Sequence, residues 1–262
     1  MTPTIHVIRH AEAAHNAYFE NIMQDPLLSE RGRDQCRKLA SDFSELSGEV
    51  VCVLASPMRR TVETALAVFE PYTRSKKIVL LPEVHEHRRA RNEEAPSQAD
   101  LEAHFGQSCL DFSLIQPEGK SGNAAAPERT MIVRAQTIRL HIRAIAQSWR
   151  ESDAHIVLVS HGPFIDHTIM CGSRTPYSHA EWRSYRFQDL DGHDLQAILI
   201  ETPESLSRRG RSSPRPLPSP SPLTGQTCAE PMSILPRLDS IMGPSASENS
   251  GSVHHGGSDE TV

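Results

Sequence analysis

Two short apolar runs, each closing on a histidine, constrain this chain more than any other feature. Ile5-His6-Val7-Ile8 leads into Arg9-His10, and Ile156-Val157-Leu158-Val159-Ser160 leads into His161-Gly162. Apolar runs of this length, rich in β-branched residues, read as strands buried on both faces of an α/β sheet. The carboxyl ends of such strands open onto the ligand crevice. The pattern therefore delivers imidazoles and a guanidinium to one crevice, an anion site with a nucleophile in it.

The sequence between the runs alternates between the two periods. Residues 4–9, 50–55 and 78–81 read as strands, and the last leads into a polar loop over 82–97. Ser29 is a good N-cap for a helix with Cys36, Leu39, Ala40 and Phe43 on one face. Ser56-Pro57 is expected to supply the cap and N1 proline of the next helix, whose Val62, Ala65, Leu66 and Phe69 repeat that spacing. A long helix over about 128–149 carries Met131, Ala135, Ile138, Ile142, Ile145 and Trp149 on one side. A helix over 163–170 follows, and then extended pieces at 184–190 and 195–202 around an Asp191-Gly192 turn. This order predicts a three-layer α/β/α domain with a mostly parallel central sheet over residues 1–202.

From residue 203 the composition changes. Nine of the 19 prolines fall in 203–262, with abundant serine and no sustained apolar period. Such a stretch buries too little apolar area to offset its ordering entropy, so a disordered Pro/Ser-rich tail is expected over 203–262. Within it Arg215-Pro216-Leu217-Pro218-Ser219-Pro220 fits the R-x-L-P-x-P form that SH3-type grooves bind weakly as polyproline II, although proline-rich disorder produces such matches by chance. A net charge of −6 gives no sign of a nucleic-acid surface. The five scattered cysteines form no C-x-x-C pair and suit a reducing compartment. The sequence shows neither a signal peptide nor a membrane span, so cytoplasmic or nuclear residence is the default expectation.

Several strand ends supply polar groups: Arg9-His10, then Ser56 with Arg59-Arg60, then His161-Gly162. A further one offers Glu83 and Glu86. Arginine forks bind phosphate, histidine is a competent nucleophile, and a carboxylic acid protonates a leaving oxygen. His85 and His87 share one face of an extended segment, yet no complete ligand set accompanies them, and they read as polar loop residues rather than metal ligands. Arg59 reads as a solvated helix residue.

These motifs resemble the histidine phosphatase superfamily, the phosphoglycerate mutase-like family, in the form of a fungal-type member. Ile8-Arg9-His10-Ala11-Glu12 with Asn16 is similar to its L-x-R-H-G-x-x-x-x-x-N signature. Residues 25–35 are similar to D-x-x-L-T-x-x-G-x-x-Q, residues 56–64 to S-P-L-x-R-A-x-Q-T, and Val159-Ser160-His161-Gly162 to V-x-H-G. The resemblance implies His10 as the phosphorylated nucleophile, with Arg9, Arg60, a protonated His161 and Asn16 lining the phosphate pocket. It implies a glutamate as general acid, Glu86 before Glu83, and no metal or cofactor. Ala11 stands where the family has glycine, and Glu63 replaces a glutamine with no expected consequence. The residues after Glu86 do not match the glycolytic mutases, which favours a phosphatase acting on a phosphorylated small molecule. A phosphomutase and a catalytically idle phosphate-binding or interaction module are the alternatives.

Overall fold

The computed structural model describes residues 2–18, 25–86, 96–115, 128–169 and 175–210. Among them, seven strands form one sheet: β1 (Thr4–Arg9), β2 (Glu49–Ala55), β3 (Ile78–Leu80), β4 (Leu110–Asp111), β5 (Ala154–Ser160), β6 (Trp182–Phe187) and β7 (Leu199–Glu201). Their spatial order is β4-β3-β2-β5-β1-β6-β7. The five strands from β4 to β1 run parallel, and β6 and β7 continue the sheet antiparallel.

Alternation along the central strands sends apolar side chains to both faces. Ile5, Val7, Cys52, Leu54, Ile156 and Leu158 pack under α6 (Glu128–Ser148) and α7 (Gly162–Ile169), meeting Ile138, Ile142, Ile145, Phe164 and Ile165. Ile8, Val53, Ala55, Val157 and Val159 face α2 (Glu30–Ser44) and α3 (Arg59–Val68), meeting Cys36, Leu39, Phe43, Val62 and Ala65. Three layers result, as the periodicity predicts. Cys36 and Cys52 are free thiols inside this core.

Three short helices are not legible from periodicity: α1 (Ala14–Tyr18), α4 (Glu70–Thr73) and α5 (Gln98–Phe105). The start of α5 is a capping box, in which Ser97 and Asp100 bond each other's backbone N–H. The expected start of α3 is corrected. Its N-cap is Met58, which makes no side-chain cap bond. The Asp25 carboxylate caps it instead, accepting from the Arg59 N–H at 3.0 and 3.1 Å. Ser56 is thereby left for other use. Glu63 is also not inconsequential, since it accepts from the Leu28 N–H at 2.8 Å and pairs with Arg33 at 3.0 Å, joining α3 to α2.

The domain boundary expected at residue 202 is corrected as well. Thr202 caps a further helix, α8 (Pro203–Arg208), in which the proline is an N1 residue rather than the start of a tail. Leu206 is buried against the domain, and Ser205 accepts from the Ser184 N–H of β6 at 3.0 Å. Arg208 stacks 3.7 Å from the Trp182 ring centroid, and Arg209 pairs with Glu201 at 2.6 Å. Ending the chain at Thr202 instead of Gly210 exposes Leu206's site and removes these partners of Ser184 and Glu201. A cost of roughly 3 kcal/mol is expected, a fall in Tm of about 6–12 °C. Equal melting of the two truncations would show that α8 contributes nothing. The R-x-L-P-x-P segment, the rest of the tail, His87 and the arginines at 88–91 lie outside the described residues. Among the described residues no helix is long and apolar enough to cross a membrane.

Candidate active site

The parallel ladder continues one residue past each central strand and fixes where the side chains emerge. The His10 N–H donates to Ser160 O at 2.9 Å, and the Ser56 N–H donates to Val159 O at 3.1 Å. His10, Ser56 and His161 therefore stand side by side at the carboxyl ends of β1, β2 and β5. The rings of His10 and His161 lie 5.2 Å apart, centroid to centroid. The structure brings together Arg9, His10, Arg60 and His161, as their sequence positions require.

His10 is buried and its Nδ1 lies 2.7 Å from Ala11 O. A carbonyl only accepts, so Nδ1 carries the proton and Nε2 keeps its lone pair. Burial first, then the charge of Arg60, pushes its pKa well below the ordinary 6.5. The ring is neutral at neutral pH, with one basic nitrogen free of backbone.

Arg9 runs along the start of α7, where a Cβ on Gly162 would sit 3.3 Å from its Nε. Its Nη1 donates to Tyr177 O at 2.6 Å and its Nη2 to His179 Nε2 at 2.8 Å, while Nε is buried without a partner. A buried donor on a cation without a protein partner is suited to an anion. Arg60 is buried, only 2% exposed, its Nη2 donates to His161 Nδ1 at 3.3 Å, and Asp25 lies 3.7 Å from Nη1. Arg59, 31% exposed, reaches the same carboxylate at 3.8 Å and is not the solvated residue expected. Burial, opposed by these contacts, raises the Asp25 pKa to about 6.

The hydrogen bonds around His161 set its tautomer. A guanidinium only donates, so His161 Nδ1 accepts and the ring proton sits on Nε2, which faces Ser56 Oγ at 3.0 Å. Burial, then Arg60, drives the pKa of His161 well below 6.5. His161 is a neutral donor here. Asn16 makes local bonds: its Oδ1 accepts from the Ala13 N–H at 3.1 Å and its Nδ2 donates to His15 Nε2 at 3.0 Å.

The two glutamates differ in what surrounds them. Glu83 sits in a 3₁₀ turn (Pro82–Val84) where burial raises its pKa against the opposing charge of Arg134. Glu86 lies past the turn. Burial lowers the pKa of Arg9, and of the carboxylates that oppose this, Glu86 acts most strongly. Glu83 Oε2 is buried without a hydrogen-bond partner. Two residues with no expected role hold this loop. Ser160 Oγ donates to Val84 O at 2.7 Å, and Arg134 donates to Glu83 O at 2.7 Å and His85 O at 2.9 Å. A polar residue closing a fully buried strand, and an arginine on the core side of α6, are the signals the sequence offers for them.

The segment at 25–35 supports the loop that follows His10. The Glu12 N–H donates to Gln35 Oε1 at 2.8 Å, the Ser29 N–H donates to Glu12 O at 2.9 Å, and the Ala11 N–H donates to Thr64 Oγ1 at 3.1 Å. Gly32 packs directly on this loop, since a Cβ there would lie 2.0 Å from Glu12 O. His179 is a site residue that the sequence motifs do not mark. It lies in the turn before β6, with its ring 5.7 Å from that of His10. Among the described residues no group of three or more His, Cys, Asp or Glu side chains could hold a metal ion.

The sheet thus carries a histidine at two adjacent strand ends, with Arg9 and Arg60 beside them. The pattern of the histidine phosphatase superfamily (branch 1) matches residues 5–190, and the chain belongs to that superfamily. A Schizosaccharomyces pombe protein named a probable phosphatase is 34% identical over 77 residues, which span 29% of this chain and 36% of that protein. The mycobacterial glucosyl-3-phosphoglycerate phosphatase has a similar fold, with a TM-score of 0.53 at 19% identity over 77% of this chain and 97% of that one. A second mycobacterial structure, described as hydrolase 1, gives 0.51 at 18% identity over 76% and 96%.

Proposed function

We propose that this protein is a metal-independent phosphatase that hydrolyses a phosphomonoester of a small molecule through a phosphohistidine on His10. The observation that carries this reading is the hydrogen bond from His10 Nδ1 to Ala11 O, which leaves Nε2 as a bare lone pair in a pocket lined by Arg9 and Arg60. The name of the fission-yeast relative supports the same activity.

Nε2 of His10 attacks phosphorus in line as the ester P–O bond breaks. The protonated Glu86 carboxyl donates its proton to the departing oxygen. Arg9, Arg60 and the Nε2–H of His161 stabilise the charge on the equatorial oxygens, the electrostatic contribution that dominates phosphoryl transfer. Arrival of a dianion beside His161 favours its protonation. Water then attacks the phosphohistidine, Glu86 takes a proton from it, and the P–N bond breaks to release phosphate and neutral His10.

Leaving-group dependence tests the acid. An alkyl phosphate needs a proton on its departing oxygen, whereas nitrophenolate departs without one. Glu86→Gln is expected to lower kcat about a hundredfold on an alkyl phosphate and under tenfold on p-nitrophenyl phosphate. Glu83→Gln is expected to show no such contrast. Reversal of the two patterns would transfer the acid role to Glu83.

A further inference from the structure

We propose that His179 is a positioning residue of the phosphate pocket, acting through Arg9 as the acceptor that fixes its guanidinium. This rests on the reading of Arg9 and His10 as the phosphate site.

A guanidinium carries five N–H donors in one plane, and its usefulness to a phosphate depends on where that plane is held. The segment before β6 holds it at two points. Tyr177 O takes Nη1 at 2.6 Å and His179 Nε2 takes Nη2 at 2.8 Å. With both terminal nitrogens anchored, the buried and unpartnered Nε and the remaining N–H groups are left to a ligand. Freedom in a long arginine side chain is thus removed before substrate arrives.

The turn carrying His179 is itself stitched to the catalytic strand. The Ala180 N–H donates to His10 O at 3.3 Å, and the Arg9 N–H donates to Glu181 O at 3.1 Å. Ala180 adopts φ of 56°, in the left-handed region that residues with a Cβ rarely occupy. That conformation is held by the backbone bonds that join the turn to β1.

The role requires a neutral ring, because an imidazolium has no lone pair to accept with. Burial, then the charge of Arg9, lowers the His179 pKa to about 4, against the opposing charge of Glu12. Arg31 acts in the same sense as Arg9, and His15 and the ring of His10 face the same space. The value is depressed, so the acceptor persists from neutral pH down to about 4 and is lost below that.

The test compares His179→Ala with His179→Gln, whose amide oxygen reaches about as far as Nε2 and accepts in its place. Binding of inorganic phosphate is read by calorimetry, which needs no turnover, and KM and kcat are read on p-nitrophenyl phosphate. Losing one charge-assisted hydrogen bond corresponds to about a tenfold or greater weakening. His179→Ala is therefore expected to raise both the phosphate dissociation constant and KM about tenfold, with kcat within about threefold of the parent. His179→Gln is expected to recover most of the loss. A purely structural residue would lower Tm without moving KM. Unchanged phosphate binding in His179→Ala, or a His179→Gln variant as weak as alanine, would overturn the proposal. If the parent itself fails to bind phosphate, the reading of the site fails and this inference with it. If the parent binds and hydrolyses but His179→Ala matches it, only the inference fails.

Discussion

Replacing His10 with alanine is expected to reduce phosphate release at least about a thousandfold while leaving the fold intact, because the covalent route disappears with the imidazole nitrogen that the structure leaves bare at the centre of the pocket. The fold survives because alanine keeps the backbone bond from residue 10 N–H to Ser160 O that holds this strand end in the ladder. What alanine gives up is the ring's hydrogen bond to Ala11 O. Circular dichroism is expected to be unchanged and Tm to move by less than about 5 °C, the effect of one hydrogen bond in a domain of this size. Activity within tenfold of the parent would remove His10 from the mechanism. Loss of the fold would make the activity measurement irrelevant, and separate measurement of phosphate binding to the folded variant guards against that.

The largest effect on stability is expected at Gly32. A Cβ at this position lies 2.0 Å from Glu12 O and 3.0 Å from Glu12 C, both backbone atoms that no rotamer change can move. Gly32→Ala must therefore push the first turn of α2 away from the loop after His10. That motion stretches the bonds from the Ser29 N–H to Glu12 O and from the Glu12 N–H to Gln35. Overpacking of this kind costs about 1–3 kcal/mol, and two strained hydrogen bonds add about 1 kcal/mol each. The sum, about 3–5 kcal/mol, corresponds to a drop in Tm of roughly 6–20 °C for a domain of this size. Activity should fall more than stability alone explains, since Ala11 O in the same loop sets the tautomer of His10. Gly106→Ala is the control: nothing lies within 4 Å of its Cβ, and only its backbone conformation, φ 78° and ψ 172°, opposes alanine, at about 1–3 kcal/mol. A Gly32→Ala variant as stable as that control would show that α2 does not rest on the loop.

The same division between local pattern and distant contact decides which parts of this protein are legible in its sequence. Strands β1, β2 and β5 are legible because burial on both faces forces unbroken apolar runs. The helices α2, α3 and α6 are legible because each has one buried stripe. Strand-end position marks Arg9, His10 and His161, while Arg60, the second residue of α3, is distinguished from Arg59 only by the family resemblance. What is not legible depends on contacts between distant segments. The cap of α3 comes from Asp25, 34 residues upstream of Arg59, so local sequence points to Ser56. Six residues of α8 carry no period, and its place is decided by Trp182, Ser184 and Glu201. The extended pieces expected at 184–190 and 195–202 are shorter, because Asp189 gathers the N–H groups of Asp191, Gly192 and Asp194 into a loop instead. His179 leaves no pattern at all, since its function comes from meeting Arg9 across 170 residues of chain. The neutral state of His161 likewise follows from its burial and then from the Arg60 charge beside it.

The central claim is that phosphate passes through the Nε2 nitrogen of His10. Rapid acid-free quenching of the protein during turnover of a ³²P-labelled phosphomonoester, followed by peptide mapping, tests it most directly. The label is expected on the peptide containing His10, stable in base and lost in mild acid as a phosphoramidate must be, and absent from His10→Ala. Label on His161, label on a carboxylate or hydroxyl, or hydrolysis at full rate with no labelled protein would contradict it.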